Sequence, residues 1–119
     1  MKIFSAIMVG LVALEHLYIL WIEMFAWTTK GKATFTSLPA ELFEPTKVLA
    51  ANQGLYNGFL AAGLIWSLLI PDVKWAGNVA VFFLSCIIIA AVYGGFTASK
   101  SILLKQGAPA VLALLLLLL

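Results

Sequence analysis

The chain has 119 residues, of which 64% are hydrophobic and 10% are charged, and its mean hydropathy is +1.10. Soluble domains are usually about 45–50% apolar and about 25% charged, so one small core cannot hide this much apolar surface from water. The composition excludes a water-soluble enzyme and the disordered, collagen-like and nucleic-acid-binding classes. It favours a protein whose solvent, and main partner, is the lipid bilayer.

Charge and cysteine content narrow the function classes further. The net charge of +2 gives no reason to expect nucleic acid as a partner. The single cysteine, Cys86, excludes an intrachain disulfide and any metal site built from several cysteines.

Four apolar stretches follow one another along the chain, and crossing a hydrocarbon core takes roughly 20 helical residues. We place membrane spans at residues 3–27, 47–70, 73–96 and 102–119. Pro71 and Asp72 form a tight turn, with Asp72 as the predicted N-cap of the third span. The sequence therefore predicts an all-α fold, with residues 1–119 forming a single transmembrane domain built as an integral membrane four-helix bundle.

The lysines predict the orientation of these spans. The longer loops at 28–46 and 98–106, with the flanking Lys47, hold five lysines, whereas the other side has only Lys2 and Lys74. Lysine-rich loops remain in the cytoplasm. We therefore expect a multi-pass protein of the cell membrane with both termini outside the cytoplasm.

Three ionisable residues lie inside the first span: Glu15, His16 and Glu23. Each charge in a span costs roughly 2.5–3.5 kcal/mol on insertion scales, so such residues usually face the bundle interior and often mark a functional site. At about 100° per residue, His16 and Glu23 share one helix face and are about 10.5 Å apart along the axis. Trp27 lies on nearly the same stripe, and Glu15 and Tyr18 lie at its edge.

The second span carries a matching polar face. Within an arc of about 140° lie four polar residues: Asn52, Gln53, Tyr56 and Asn57. Gly54 and Gly58 lie beside them, where small residues permit close helix approach. Tyr93 of the third span comes to the same membrane side, so we expect all of these groups to converge in the cytoplasmic half of the bundle.

These residue types are suited to proton transfer and to hydrogen bonding. Glu15 or Glu23 would act as acid or base and His16 as a proton relay, which makes these three the candidate catalytic residues. The candidate ligand-binding residues are Asn52, Gln53, Tyr56, Asn57, Tyr18 and Tyr93, since amides and phenols orient a carbonyl or hydroxyl. No histidine and carboxylate have the spacing of a metal site, so we expect no metal, and the pattern specifies no cofactor.

Three functions are compatible with this pattern. The first is a polar pocket in the membrane that binds a small, largely apolar ligand and transforms it by proton transfer. The second is a small proton-coupled transporter, which would have to be a homodimer because one such bundle leaves little space for a pathway. The third is a structural or partner protein whose polar residues only join helices, at about 0.6 kcal/mol for each interhelical hydrogen bond.

Three sequence strings resemble a known family: ALEHLY at 13–18, EMFAW at 23–27 and AANQGLYNG at 50–58. They are similar to those of small bacterial integral membrane proteins catalogued as a domain of unknown function, number thirteen-oh-four. The resemblance covers nearly the whole chain and implies four membrane helices. It implies no activity, cofactor or catalytic residue.

Overall fold

The structure, a computed structural model, describes residues 1–119 and contains helices and no strand, which confirms the all-α fold. The helices are α1 (Ile3–Phe25), α2 (Lys30–Thr34), α3 (Lys47–Leu69), α4 (Val73–Thr97) and α5 (Lys100–Leu118). The four long helices begin and end within two residues of the predicted spans.

Three of the long helices, α1, α4 and α5, are long and apolar enough to cross a membrane. Helix α3 has the same length as α1, 23 residues, but it carries three amide side chains in its first half: Asn52, Gln53 and Asn57. These amides lower its hydropathy below that of the other three. The first half of α3 therefore carries polar side chains next to helices that are mainly apolar.

The four long helices pack side by side in chain order, α1 on α3, α3 on α4, α4 on α5, and α5 back on α1. Their shared apolar core lies in the half that holds the chain termini. It consists of Val9, Val12, Ala13, Leu64, Ala80, Leu84, Ile87, Ala110 and Ala113. The Ser5 hydroxyl donates to the carbonyl oxygen of Leu116 at 3.1 Å, which joins α1 to the end of α5.

Two local sequence features set the ends and the shape of these helices. The Asp72 side chain accepts a hydrogen bond from the Trp75 amide at 2.9 Å, which confirms the predicted N-cap of α4. Within α5, Leu103–Gly107 forms a π-helical turn just before Pro109. A proline ring clashes with the carbonyl four residues earlier, and a wider turn relieves that clash.

Small residues allow α1 and α3 to approach closely. A Cβ atom on Gly54 would lie 2.7 Å from Cγ of Met24 and 3.2 Å from the carbonyl oxygen of Leu20, and one on Gly58 would overlap the Leu20 side chain. Both glycines therefore act in this interface as the sequence predicts, because only a hydrogen fits where the two helices meet.

Residues 28–46, which we call the cap, fold over one end of the long helices. Trp27 packs against Phe35 and Phe43 with ring centroids 5.4 Å and 4.8 Å apart, and its Nε1 donates to the Thr46 hydroxyl at 3.0 Å. Phe43 is only 1% exposed. The cap is therefore held by an aromatic cluster that it forms with Trp27, just after α1, and it covers the helix ends.

The Gly54→Ala variant tests the close approach of α1 and α3. Overpacking of this kind costs about 1–3 kcal/mol, so the variant should unfold at a lower temperature in mild detergent. The matched control is Gly77→Ala on α4, where an added Cβ meets nothing within 4 Å. An equal melting temperature for Gly54→Ala and Gly77→Ala would show that the interface is loose at Gly54.

The aromatic cluster predicts how tightly the cap is held. Phe43→Ala removes a fully buried ring, a change that costs about 3–5 kcal/mol, so the cap should open more often. Trypsin should then cut after Lys30 and Lys32 at least about tenfold faster than in the unchanged protein. The control is Leu42→Ala, at an exposed neighbouring side chain, which should leave the rate unchanged. Equal cleavage rates in both variants would contradict this account of the cap.

Candidate functional site

A cavity of about 460 Å³ lies below the cap, in the half of the helices opposite the shared core. The four long helices and the cap all contribute to its walls. Its lining residues are His16, Ile19, Glu23, Trp27, Phe35, Ser37, Leu38, Gln53, Tyr56, Asn57, Leu60, Ile87, Ala90, Gly94, Ala98, Ile102 and Gln106. Cavities of this size hold small organic molecules.

The cavity is elongated along the helices. Because neighbouring long helices are antiparallel, its inner end lies at the level of His16, Leu60 and Ile87, next to the shared core. Its outer end lies under Phe35 and Leu38 of the cap. The walls between the two ends combine apolar residues such as Ile19 and Ile102 with the polar residues Glu23, Asn57 and Gln106.

Glu23 and Asn57 form a buried pair on facing helices. The Asn57 Nδ2 donates to Oε1 of Glu23 at 2.6 Å, and both residues are 9% exposed. The same amide also donates to the carbonyl oxygen of Gln53 at 3.3 Å. Gly54 lets these groups meet, since its missing Cβ would lie 3.0 Å from Cβ of Glu23.

His16 lies two turns away from Glu23 on the same face of α1 and is 1% exposed. Its Nδ1 lies 2.9 Å from the carbonyl oxygen of Val12. A carbonyl only accepts, so Nδ1 carries the proton and donates it. In the neutral ring this leaves Nε2 as an acceptor, and Nε2 has no hydrogen-bond partner in the chain.

Gln53 and Tyr56 line the same cavity but are also exposed at its edge, Tyr56 by 61%. A side chain that both lines a cavity and is exposed marks an opening. The cavity therefore opens sideways along the first half of α3, as well as lying under the cap.

The structure brings five of the nine predicted site residues to one cavity: His16, Glu23, Gln53, Tyr56 and Asn57. The other four, Glu15, Tyr18, Asn52 and Tyr93, do not line it.

Each of the four has another environment. Glu15 is half-buried, with its Oε1 buried and without a partner. The Asn52 amide is exposed and donates to the carbonyl oxygen of Val48 at 2.9 Å. Tyr18 stacks on Trp21 with centroids 6.0 Å apart, and Tyr93 is 71% exposed.

Sequence reasoning missed part of the wall. Phe35, Ser37 and Leu38 of the cap, and Gln106 of α5, had no periodic signal that linked them to the site. Trp27 did have one, since it lies on the stripe of His16 and Glu23, although tryptophans near helix ends are more often packing or interfacial residues. No three His, Cys, Asp or Glu side chains come close enough to hold a metal ion together.

Comparison with known proteins identifies the family of the chain. A family model described as "Protein of unknown function (DUF1304)" matches residues 10–118. The chain is 37% identical over 117 residues to the "Uncharacterized protein YpaA" of Lactococcus lactis subsp. lactis (strain IL1403), a match that covers 97% of each chain. No solved structure matches it. The chain therefore belongs to the DUF1304 family.

Proposed function

We propose that the protein binds a small, largely apolar ligand with one polar group in the cavity below the cap. One observation carries this proposal: the deeply buried His16 ring faces the cavity with an Nε2 that has no partner in the chain. Nε2 is not sealed from its surroundings, since Oε1 of Glu15 is the one fully buried side-chain nitrogen or oxygen without a partner, so a molecule in the cavity can reach Nε2. A ligand would supply the missing bond, and His16 and Glu23 are the groups placed to exchange a proton with it.

The same geometry favours binding over a purely structural role. The side-chain hydrogen bond of His16 goes to Val12 on its own helix, so the imidazole does not join helices. Only the bond from Asn57 to Glu23 does that within the cavity. A structural role would need the polar groups to bond across helices, with no space left between them.

The position of the shared core favours binding over transport. Below His16 the space between the helices is filled by buried apolar side chains, among them Val12, Leu84 and Ala113. This packing supports a cavity that is closed at its inner end and opens at the side. A transport pathway would need a second opening through that core, or one formed with a second copy of the chain.

The membrane arrangement is part of the proposal. We place α1, α3, α4 and α5 as four crossings of the cell membrane, an integral membrane bundle. Helix α3, with 23 residues, is about 34 Å long, which is enough to cross a hydrocarbon core. The lysines at Lys30, Lys32, Lys47 and Lys100 support a cytoplasmic cap with both termini on the other side.

Substitution of the buried polar residues tests the site. The probe is naphthalenemethanol, measured by equilibrium dialysis against the protein in lipid nanodiscs, with empty nanodiscs subtracted to remove partition into lipid. His16→Phe should weaken binding by about tenfold, because the single O–H of the probe donates to Nε2 of His16, and Glu23→Gln tests whether it donates to the carboxyl instead. The control is Asn78→Ala, at an exposed residue that does not line this cavity. Unchanged binding by both His16→Phe and Glu23→Gln would show that this cavity is not the binding site.

A space-filling substitution tests the cavity independently of its polar groups. Ala90→Trp places a large ring at the exposed edge of the cavity wall and should weaken probe binding. Ile89→Trp adds a ring to the adjacent side chain, which is largely exposed and does not line the cavity, and it should bind like the unchanged protein. Equal binding by the two variants would show that the probe binds elsewhere.

A further inference from the structure

Three buried polar side chains line the cavity, and the hydrogen-bond donors of two of them are already used. The Nδ1–H of His16 donates to Val12, and the Asn57 amide nitrogen donates to Glu23 and to Gln53. The third, Glu23, is a carboxyl, which is acceptor-only when ionised.

On these three side chains, with Glu23 ionised, the atoms that remain without partners are therefore acceptors. They are Nε2 of His16, Oδ1 of Asn57 and Oε2 of Glu23, none of which has a hydrogen-bond partner within the chain. A ligand that fits this set brings donors. An ether or a carbonyl compound brings no donor and would leave these acceptors without a bond from the ligand.

The chain supplies no cation for Glu23. All seven lysines are exposed, there is no arginine, and no lysine lines the cavity. A buried carboxylate is expensive unless it is paired with a positive group. An ionised Glu23 would therefore need a positive partner from outside the chain.

The outer part of the cavity presents aromatic rings to the same space. Trp27, Phe35 and Tyr56 all line it, and an aromatic ring attracts a cation that lies within about 6 Å of its face. The remaining walls, among them Ile19, Leu60 and Ile102, suit an apolar body. The side opening at Tyr56 would let such a molecule enter from the bilayer.

We infer that the ligand is an amphiphilic organic amine, with an apolar body and an ammonium group whose N–H donors bind the Glu23 carboxylate and the adjacent Oδ1 of Asn57. This inference rests on the proposed function and names the chemical class of its ligand. It requires no reaction: the ammonium pairs with Glu23, and the apolar body lies between α1, α3 and α4.

Three probes of nearly equal shape test the inference: naphthylmethylamine, naphthalenemethanol and ethylnaphthalene. They differ only in the end group, which is an ammonium at neutral pH, a hydroxyl or a methyl. Binding is measured by equilibrium dialysis with nanodiscs of phosphatidylcholine, so that no anionic lipid attracts the amine, and empty nanodiscs are subtracted. The amine should bind at least about tenfold more tightly than the alcohol, since charge-assisted hydrogen bonds are about twice as strong as neutral ones.

Two carboxyl-to-amide variants identify the source of that preference. Glu23→Gln keeps the side-chain shape and an acceptor for Asn57 but removes the charge. The amine should then bind no more tightly than the alcohol. Glu44→Gln removes an exposed carboxyl of the cap and should leave the ratio of amine to alcohol affinity unchanged.

The outcomes separate the inference from the proposed function. If all three probes bind equally well and Ala90→Trp weakens their binding, the cavity binds apolar molecules and the inference of an amine is wrong. If naphthylacetate, an anionic probe of similar shape, binds more tightly than the amine, the inference is also wrong. If no probe binds beyond empty nanodiscs, the proposed function itself fails.

Discussion

The close approach of α1 and α3 at Gly54 is the constraint on which the site depends. With no Cβ at this position, the backbone of α3 comes within contact distance of Leu20 and Met24, and the carboxyl of Glu23 comes within 2.6 Å of the Asn57 amide. A hydrogen bond buried among apolar helices is strong because no water competes for it. The close contact and the polar pair therefore reinforce each other.

The two halves of the long helices differ in the residues that lie between the helices. In the half that holds the termini, small and branched apolar residues such as Val9, Ala80 and Ala113 fill the space between the helices. In the other half, the helices enclose the cavity and are covered by the cap around Trp27 and Phe43. Tight packing in one half stabilises the helices, which lets the other half keep open space with buried polar groups.

Helical periodicity made part of the site predictable. His16 and Glu23 are seven residues apart, close to two full turns, so one helix necessarily presents both on one face. Glu15 is the neighbour of His16, but a rotation of about 100° moves it off the cavity lining. Asn52 and Asn57 both lie on the predicted polar arc of α3, yet only Asn57 faces Glu23. The rotation of α3 about its axis, which is set by its packing through Gly54, decides between them.

The sequence by itself determined the helical class, the positions of the four long helices and the membrane-like composition, because these depend on composition and on local periodicity. It also determined that α1 carries its ionisable residues within an apolar helix. The tertiary structure decided which polar residues share a cavity, and it added Gln106, Phe35 and Ser37 to the walls. These residues come from parts of the chain that are far apart in sequence. Only the rotation of each helix and the fold of the cap bring them together, and no local pattern encodes either.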